Sequence, residues 1–160
     1  MQKKLRLGWF SFTCCEDSTI IFTELLNQHY RQWKNQLEFV HAKVLQNNNR
    51  WEEMDVAFVE GAVTSPQQEN KLKKIRSLAK YVVAIGACAC IGMPAGQRNQ
   101  FDDQTRQEIQ AVFPRFQYFP TVKRLNEIIQ IDDQVPGCPM NETIFINVLN
   151  RYLKEFEIVT

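Results

Sequence analysis

An excess of charge of one sign is missing from this sequence. Its 19 basic and 18 acidic residues are interspersed and leave a formal net charge of +1, so no broad field marks it for nucleic acid or for an anionic lipid surface. Long apolar runs are missing as well. Met1-Gln2-Lys3-Lys4 leads into an apolar stretch of only a strand's length, too short for a signal-peptide core or a membrane span. No direct membrane insertion is expected, and the expected location is cytoplasmic. Repeats, low-complexity tracts and linkers are absent, and 160 residues suit one domain with a substantial core, so residues 1–160 are read as a single unit. Histidine is scarce: His29 and His41 lie away from every motif and are expected to be surface or hydrogen-bond-satisfied groups.

What the chain does have is cysteine in three islands, Cys14-Cys15, Cys88 with Cys90, and Cys138. Each follows an apolar, strand-like run: LRLGWFSF over Leu5 to Phe12, YVVAI over Tyr81 to Ile85, and an Ile131 to Val135 segment. Two further strands are expected at Leu37 to Leu45 and Asp55 to Glu60. Between them the helical period recurs: Ile21, Phe22, Leu25, Leu26, Tyr30 and Trp33 form one pattern, and Leu72, Ile75 and Ala79 a second. Ser65-Pro66-Gln67-Gln68 announces that second helix with a capping serine, a first-turn proline and a glutamine three residues after the cap. Shorter helices are expected at Thr105 to Val112, stopping before Pro114, and at Val122 to Ile129. A last amphipathic helix opens at Asn141 and runs through Phe145, Leu149, Tyr152 and Phe156. Strands alternating with helices predict an α/β fold, a flavodoxin-like three-layer sandwich around a parallel sheet. In such sheets ligands sit beyond the carboxyl ends of the strands, where every cysteine island falls.

Adjacent cysteines do not readily bridge one another and an odd count leaves one over, so these thiols point to a metal rather than to disulfides. Thiolates are the usual ligands of iron–sulfur clusters, and Cys14, Cys15, Cys88 and Cys138 offer four from three loops. Core-filling cysteines are the bland alternative. Zinc is another, although its customary pairs separated by two to four residues are absent. A flavin-binding reading needs a glycine-rich phosphate loop after the first strand, and Ser11-Phe12-Thr13-Cys14-Cys15 has no glycine. A thiol sensor built on Cys14, Cys15 or Cys90 is a further alternative.

The segments TCCEDS (13 to 18), FVEGAV (58 to 63), GACACIGMPAGQRN (86 to 99) and VPGCPMNE (135 to 142) together resemble the small, electron-transferring subunit of [NiFe] hydrogenases and the related 20 kDa subunit of respiratory complex I. The resemblance runs from about Leu5 to the end of the chain. It implies a flavodoxin-like domain carrying one proximal [4Fe-4S] cluster and docked on a large subunit that holds the nickel–iron centre, with diaphorase or ferredoxin-like subunits as further partners. Carried over by position, Cys15, Cys88 and Cys138 match ligand cysteines. Where hydrogenases place another cysteine three residues before Cys15, this chain has Phe12; adjacent ligands in the complex I relatives make Cys14 the fourth, with Cys90 as the alternate. Glu60 falls beside the cluster in these families and Glu16 near the subunit interface, each a candidate proton relay, with loop anchoring and solvated surface as their plain alternatives. The resemblance implies one cluster, and a cytoplasmic hydrogenase subunit that relays electrons between the large subunit and a redox module. The alternative is the equivalent subunit of a complex I-like or energy-converting membrane-bound oxidoreductase.

Overall fold

Five apolar runs become five parallel strands: β1 (Leu5–Ser11), β2 (Leu37–Ala42), β3 (Met54–Glu60), β4 (Ala79–Ile85) and β5 (Asp133–Val135), in the order β2-β1-β3-β4-β5. The computed structural model describes residues 3–159; Met1, Gln2 and Thr160, at the ends of the span 1–160, lie outside the described residues. The interior strands read as unbroken apolar sequence because both faces are covered. Successive residues alternate between two core layers. Trp9, Val56, Phe58, Val83 and Ile85 join one layer with Phe22, Leu25, Phe145 and Leu149. Phe10, Ala57, Val59, Val82 and Ala84 join the other with Leu72, Ile75 and Leu125. The first layer is held by α1 (Asp17–Gln28), α2 (Tyr30–Gln36) and the C-terminal α7 (Glu142–Glu155), the second by α3 (Pro66–Leu78) and α4 (Gly86–Ile91). Trp9 stacks on Phe22 with centroids 4.0 Å apart and planes 3° from parallel, so β1 and α1 meet in a fixed register. This is the expected three-layer α/β sandwich of flavodoxin-like order.

Several boundaries differ from the sequence expectation, each for a local reason. The first helix breaks at His29, so Trp33 is buried on α2 while Tyr30 turns outward. β2 ends at Ala42, where the chain turns and the Leu45 amide donates to the Ala42 carbonyl at 2.9 Å. At α3 the Ser65 hydroxyl accepts from the Gln68 amide at 3.3 Å, but the Gln68 side chain accepts from Thr64 N at 2.8 Å instead of returning to Ser65. The region before Pro114 holds α5 (Asp103–Ile109), and Pro114 itself lies inside α6 (Val112–Phe116). A first-turn position tolerates proline because its missing N–H had no intrahelical partner to lose. The helix expected at Val122 to Ile129 shrinks to one 3₁₀ turn, Leu125–Glu127. α7 begins as expected, with the Asn141 side chain accepting from the Ile144 amide at 3.0 Å.

Candidate functional site

The register of the sheet sets the site. Ser11 pairs with Glu60, Glu60 with Ile85, and Ile85 with Val135, so one row of residues crosses the ends of β1, β3, β4 and β5. Cys14, Cys88 and Cys138 are each the third residue beyond that row on its own strand. Backbone hydrogen bonds tie the Cys14 loop to the end of β3 and the Cys88 segment to the Cys138 loop. Phe12 N donates to Glu60 O at 2.8 Å, Thr13 and Ala62 exchange two bonds at 3.0 Å, and Ala87 N donates to Gly137 O at 2.7 Å. Gly137 sits at φ +120°, and a Cβ there would lie 2.4 Å from the Pro139 carbonyl oxygen, so a side chain would push the last loop out of place. Cys14, Cys88 and Cys138 line one small cavity with Glu60, Ser18 and Gly86. Cys88 is buried, Cys14 half-buried, and Cys15 and Cys138 are exposed.

Cys90 is placed elsewhere. Cys88 and Cys90 lie on α4, a helix rather than the loop expected from sequence, and positions two apart on a helix point about 200° away from each other. Cys90 therefore packs into the second core layer and directs its Sγ at the Ala84 carbonyl, 3.6 Å away. Burial pushes its thiol up to about 11.

The other thiols act on one another. Burial, then the Glu60 carboxylate and Cys88, push Cys14 up to about 12, against the Glu16 backbone amide. Cys88 is raised by burial first, then by Cys138, Cys15 and Glu60, while the Ala95 amide pulls it down. At Cys15 the largest influence is the Asp17 amide, which lowers it; burial, the Asp17 carboxylate and Cys138 together outweigh that amide, and the net shift is upward. Thiolates are the ligating form, so a metal that binds here releases the thiol protons. Among the described residues no three His, Cys, Asp or Glu side chains converge on a point where one ion could bind. A cubane cluster needs no such convergence, because each of its irons takes a single thiolate. Three of the expected thiols, Cys14, Cys88 and Cys138, line the cavity, and Cys15 follows the first in sequence outside its lining; as separate single donors they fit the chemistry of that group.

One expected outcome follows for the metal-free chain. Iodoacetamide at pH 8 should label exposed Cys15 and Cys138 first, while Cys14 lags by about a hundredfold or more because its thiolate fraction is minute. Mass spectrometry of timed samples reads the order, and Cys14 labelling should speed up steadily as pH rises. Equal rates at Cys14 and Cys138 would contradict this environment.

Glu60 ends β3 and is 3% exposed. Its carboxylate accepts from the Ser18 amide at 3.1 Å and from the Thr19 hydroxyl at 2.6 Å, and that hydroxyl accepts in turn from the Trp9 indole N–H at 2.9 Å. Because Ser18 and Thr19 are in the first turn of α1, the carboxylate also faces the positive end of that helix. The anchoring role weighed for Glu60 is thus built into the fold. Sequence reasoning does not single out Ser18, Thr19 or Trp9; the signal for them is a pair of hydroxyl residues opening a helix just after the paired cysteines. Glu16 is exposed at the start of α1 with φ 64°. His29 stacks on Trp33 at 4.7 Å. His41 departs from expectation: it is 2% exposed, packed on Phe10 and Trp51, and its Nδ1 has no hydrogen-bond partner.

A flavodoxin-like α/β domain that presents clustered thiols beyond the carboxyl ends of a parallel sheet is the class that this fold and site define. The family model for NADH ubiquinone oxidoreductase, 20 Kd subunit, matches residues 14–152, and the chain belongs to that family. A subunit of the F420-non-reducing hydrogenase of Methanothermobacter marburgensis is 31% identical over 121 residues, covering 66% of this chain and 39% of the relative. The gamma subunit of the coenzyme F420 hydrogenase of Methanosarcina barkeri is 26% identical over 155 residues, covering 92% of this chain and 54% of the relative. The chain thus spans between about two fifths and just over half of the length of these relatives. Among solved structures, a chain of an NAD+-reducing [NiFe]-hydrogenase in the H2-reduced state superposes with TM-score 0.79 at 23% identity, over 96% of this chain and 93% of that one, a likeness of fold.

Proposed function

We propose that Cys14, Cys15, Cys88 and Cys138 hold one [4Fe-4S] cluster and that residues 1–160 act as one iron–sulfur domain, the electron-transfer small subunit of a [NiFe] hydrogenase. The observation that carries this reading is the common three-residue offset of Cys14, Cys88 and Cys138 from one row of the sheet, with Cys15 beside the first. Hydrogenase subunits among the relatives support the assembly. The cluster, when bound, takes up and releases one electron at a time. The chain's own residues do the rest: thiolates from two loops and from α4 would hold it, Cys88 being the buried one of the four. Glu60, held by Ser18 and Thr19, is a fixed carboxylate at the cavity wall and the first candidate proton relay. Glu16 is retained as the second candidate relay, at the exposed rim.

The partners under this reading are a large subunit bearing the nickel–iron centre and a diaphorase or ferredoxin-like module. Reduced thiols suit a cytoplasmic location, and no helix among the described residues is long and apolar enough to cross a membrane. A second reading, the equivalent subunit of a complex I-like or energy-converting membrane-bound oxidoreductase, is favoured by the family match itself. Anaerobic co-purification from the native host separates the two: a partner with paired CxxC motifs and hydrogen-dependent dye reduction supports the hydrogenase, and a quinone-reducing membrane assembly supports the other.

The docking face should include the C-terminal end of α4, where Ile91 is 62% exposed, and the turn after it that carries Met93. Residues 61–64 are buried within the chain itself and lie outside that face. Ile91→Glu should weaken pull-down of the large subunit by at least about tenfold, since a large apolar anchor would be replaced by a charge at the interface. Undiminished association would move the interface elsewhere.

A further inference from the structure

Beyond the ends of β1 and β2, on the far side of Thr19 from the thiol cavity, lies a second cavity of about 420 Å³. Ser11 and Thr19 offer hydroxyls on its wall, and His41, Lys43 and Lys71 bring potential positive charge, with Glu16 as the acidic residue of the lining. The size suits one small ligand.

Three lysines of the chain are held by carboxylates, and the two at this cavity are not. Lys73, Lys80 and Lys123 each pair with a carboxylate, to Glu69, Asp55 and Glu69 respectively. Among the described residues neither Lys43 nor Lys71 has an acidic group within 4.0 Å. The Lys71 ammonium instead lies 5.2 Å from the centroid of the Phe12 ring. Holding a half-buried ammonium without a counter-charge is costly, and placing a second one nearby adds repulsion. Both effects are visible: burial and then Lys43 lower the Lys71 ammonium. His41 is lowered by burial, then by Lys71 and, less, by Lys43, with only the Arg50 backbone acting the other way. His41 also lines the cavity, but its unpaired Nδ1 is sealed from solvent and does not open into it. A single addition answers the lysines: an anion between them supplies their counter-charge.

We propose that this cavity at the carboxyl ends of β1 and β2 binds a small oxyanion, the phosphate or carboxylate group of a metabolite, through Lys43 and Lys71, with the Ser11 hydroxyl donating a further hydrogen bond. The site is separate from the thiols and of opposite electrostatic character. The two share one wall, because the Thr19 hydroxyl that faces the oxyanion cavity donates to Glu60.

The test is isothermal titration calorimetry of the full chain, isolated without oxygen, against inorganic phosphate and separately against malonate. Saturable binding of at least one is expected, and the preferred probe tells a phosphoryl ligand from a carboxylate. The Lys43→Gln/Lys71→Gln double variant should weaken binding at least about tenfold, as loss of two charge-assisted contacts requires. Lys73→Gln, which removes an ion-paired charge from the same helix, should change it by no more than about twofold. Far-ultraviolet circular dichroism checks that the variants fold; removing two mutually repelling cations should leave it unchanged. Saturation by neither probe, or equal weakening by Lys73→Gln, would overturn the site.

Discussion

Serine at Cys88 or Cys138 is expected to abolish cluster assembly, leaving a colourless chain with under about a tenth of the wild-type iron and sulfide. Each of these thiols is a single donor from its own segment, Cys88 from α4 and Cys138 from the loop after β5, and the two segments are fixed to one another through Ala87 N to Gly137 O. No spare sulfur is poised to replace either, because Cys90 points into the opposite core layer. Cys15→Ser should behave the same way, and Cys90→Ser should keep its full cluster. Cys14→Ser decides the fourth ligand. Its loss of cluster supports adjacent ligation by Cys14 and Cys15; its retention together with loss in Cys90→Ser would move the ligand to Cys90 and require α4 to rotate or unwind. Iron and labile-sulfide analysis of all five variants after anaerobic purification makes the comparison.

Glu60→Ala should cost the fold about 3 kcal/mol, the scale of losing hydrogen bonds to a buried carboxylate, and lower the melting temperature by roughly 6–12 °C for a chain of this size. The carboxylate satisfies the Ser18 amide and orients the Thr19 hydroxyl, which in turn receives the Trp9 indole N–H. Truncating it leaves those donors buried and frees the start of α1, just after Cys14 and Cys15. Glu60→Gln keeps the shape and an acceptor, so it should recover at least half of that loss while removing the charge and the capacity to hold a proton. Calorimetric melting of the three proteins side by side, with the redox potential of each measured at several pH values, separates anchor from relay. A pH dependence that disappears in Glu60→Gln, with stability largely kept, identifies the relay.

The parallel sheet is legible in the sequence because β3 and β4 are buried on both faces and so show as unbroken apolar runs. Placing the cysteines at strand ends follows from the same runs. Less is visible where tertiary contacts override local pattern. GACACI reads as loop because its glycine and two cysteines signal a turn, yet Gly86–Ile91 is helical, and that alone separates Cys88 from Cys90. Pro114 marks a boundary in sequence but enters α6 in its first turn. The roles of Ser18 and Thr19 depend on a carboxylate 42 and 41 residues away, a pairing that no local period encodes. His41 in sequence is one histidine in an apolar strand; its want of a partner is visible only once Phe10, Trp51 and Lys71 surround it.

The central claim is that four thiols of this chain bind one iron–sulfur cluster, and it is tested most directly by metal and sulfide analysis with electron paramagnetic resonance on anaerobically purified protein. The account predicts about four irons and about four labile sulfides per chain and a single paramagnetic signal after one-electron reduction. Stoichiometric zinc without labile sulfide, or more than one reducible cluster per chain, would contradict it.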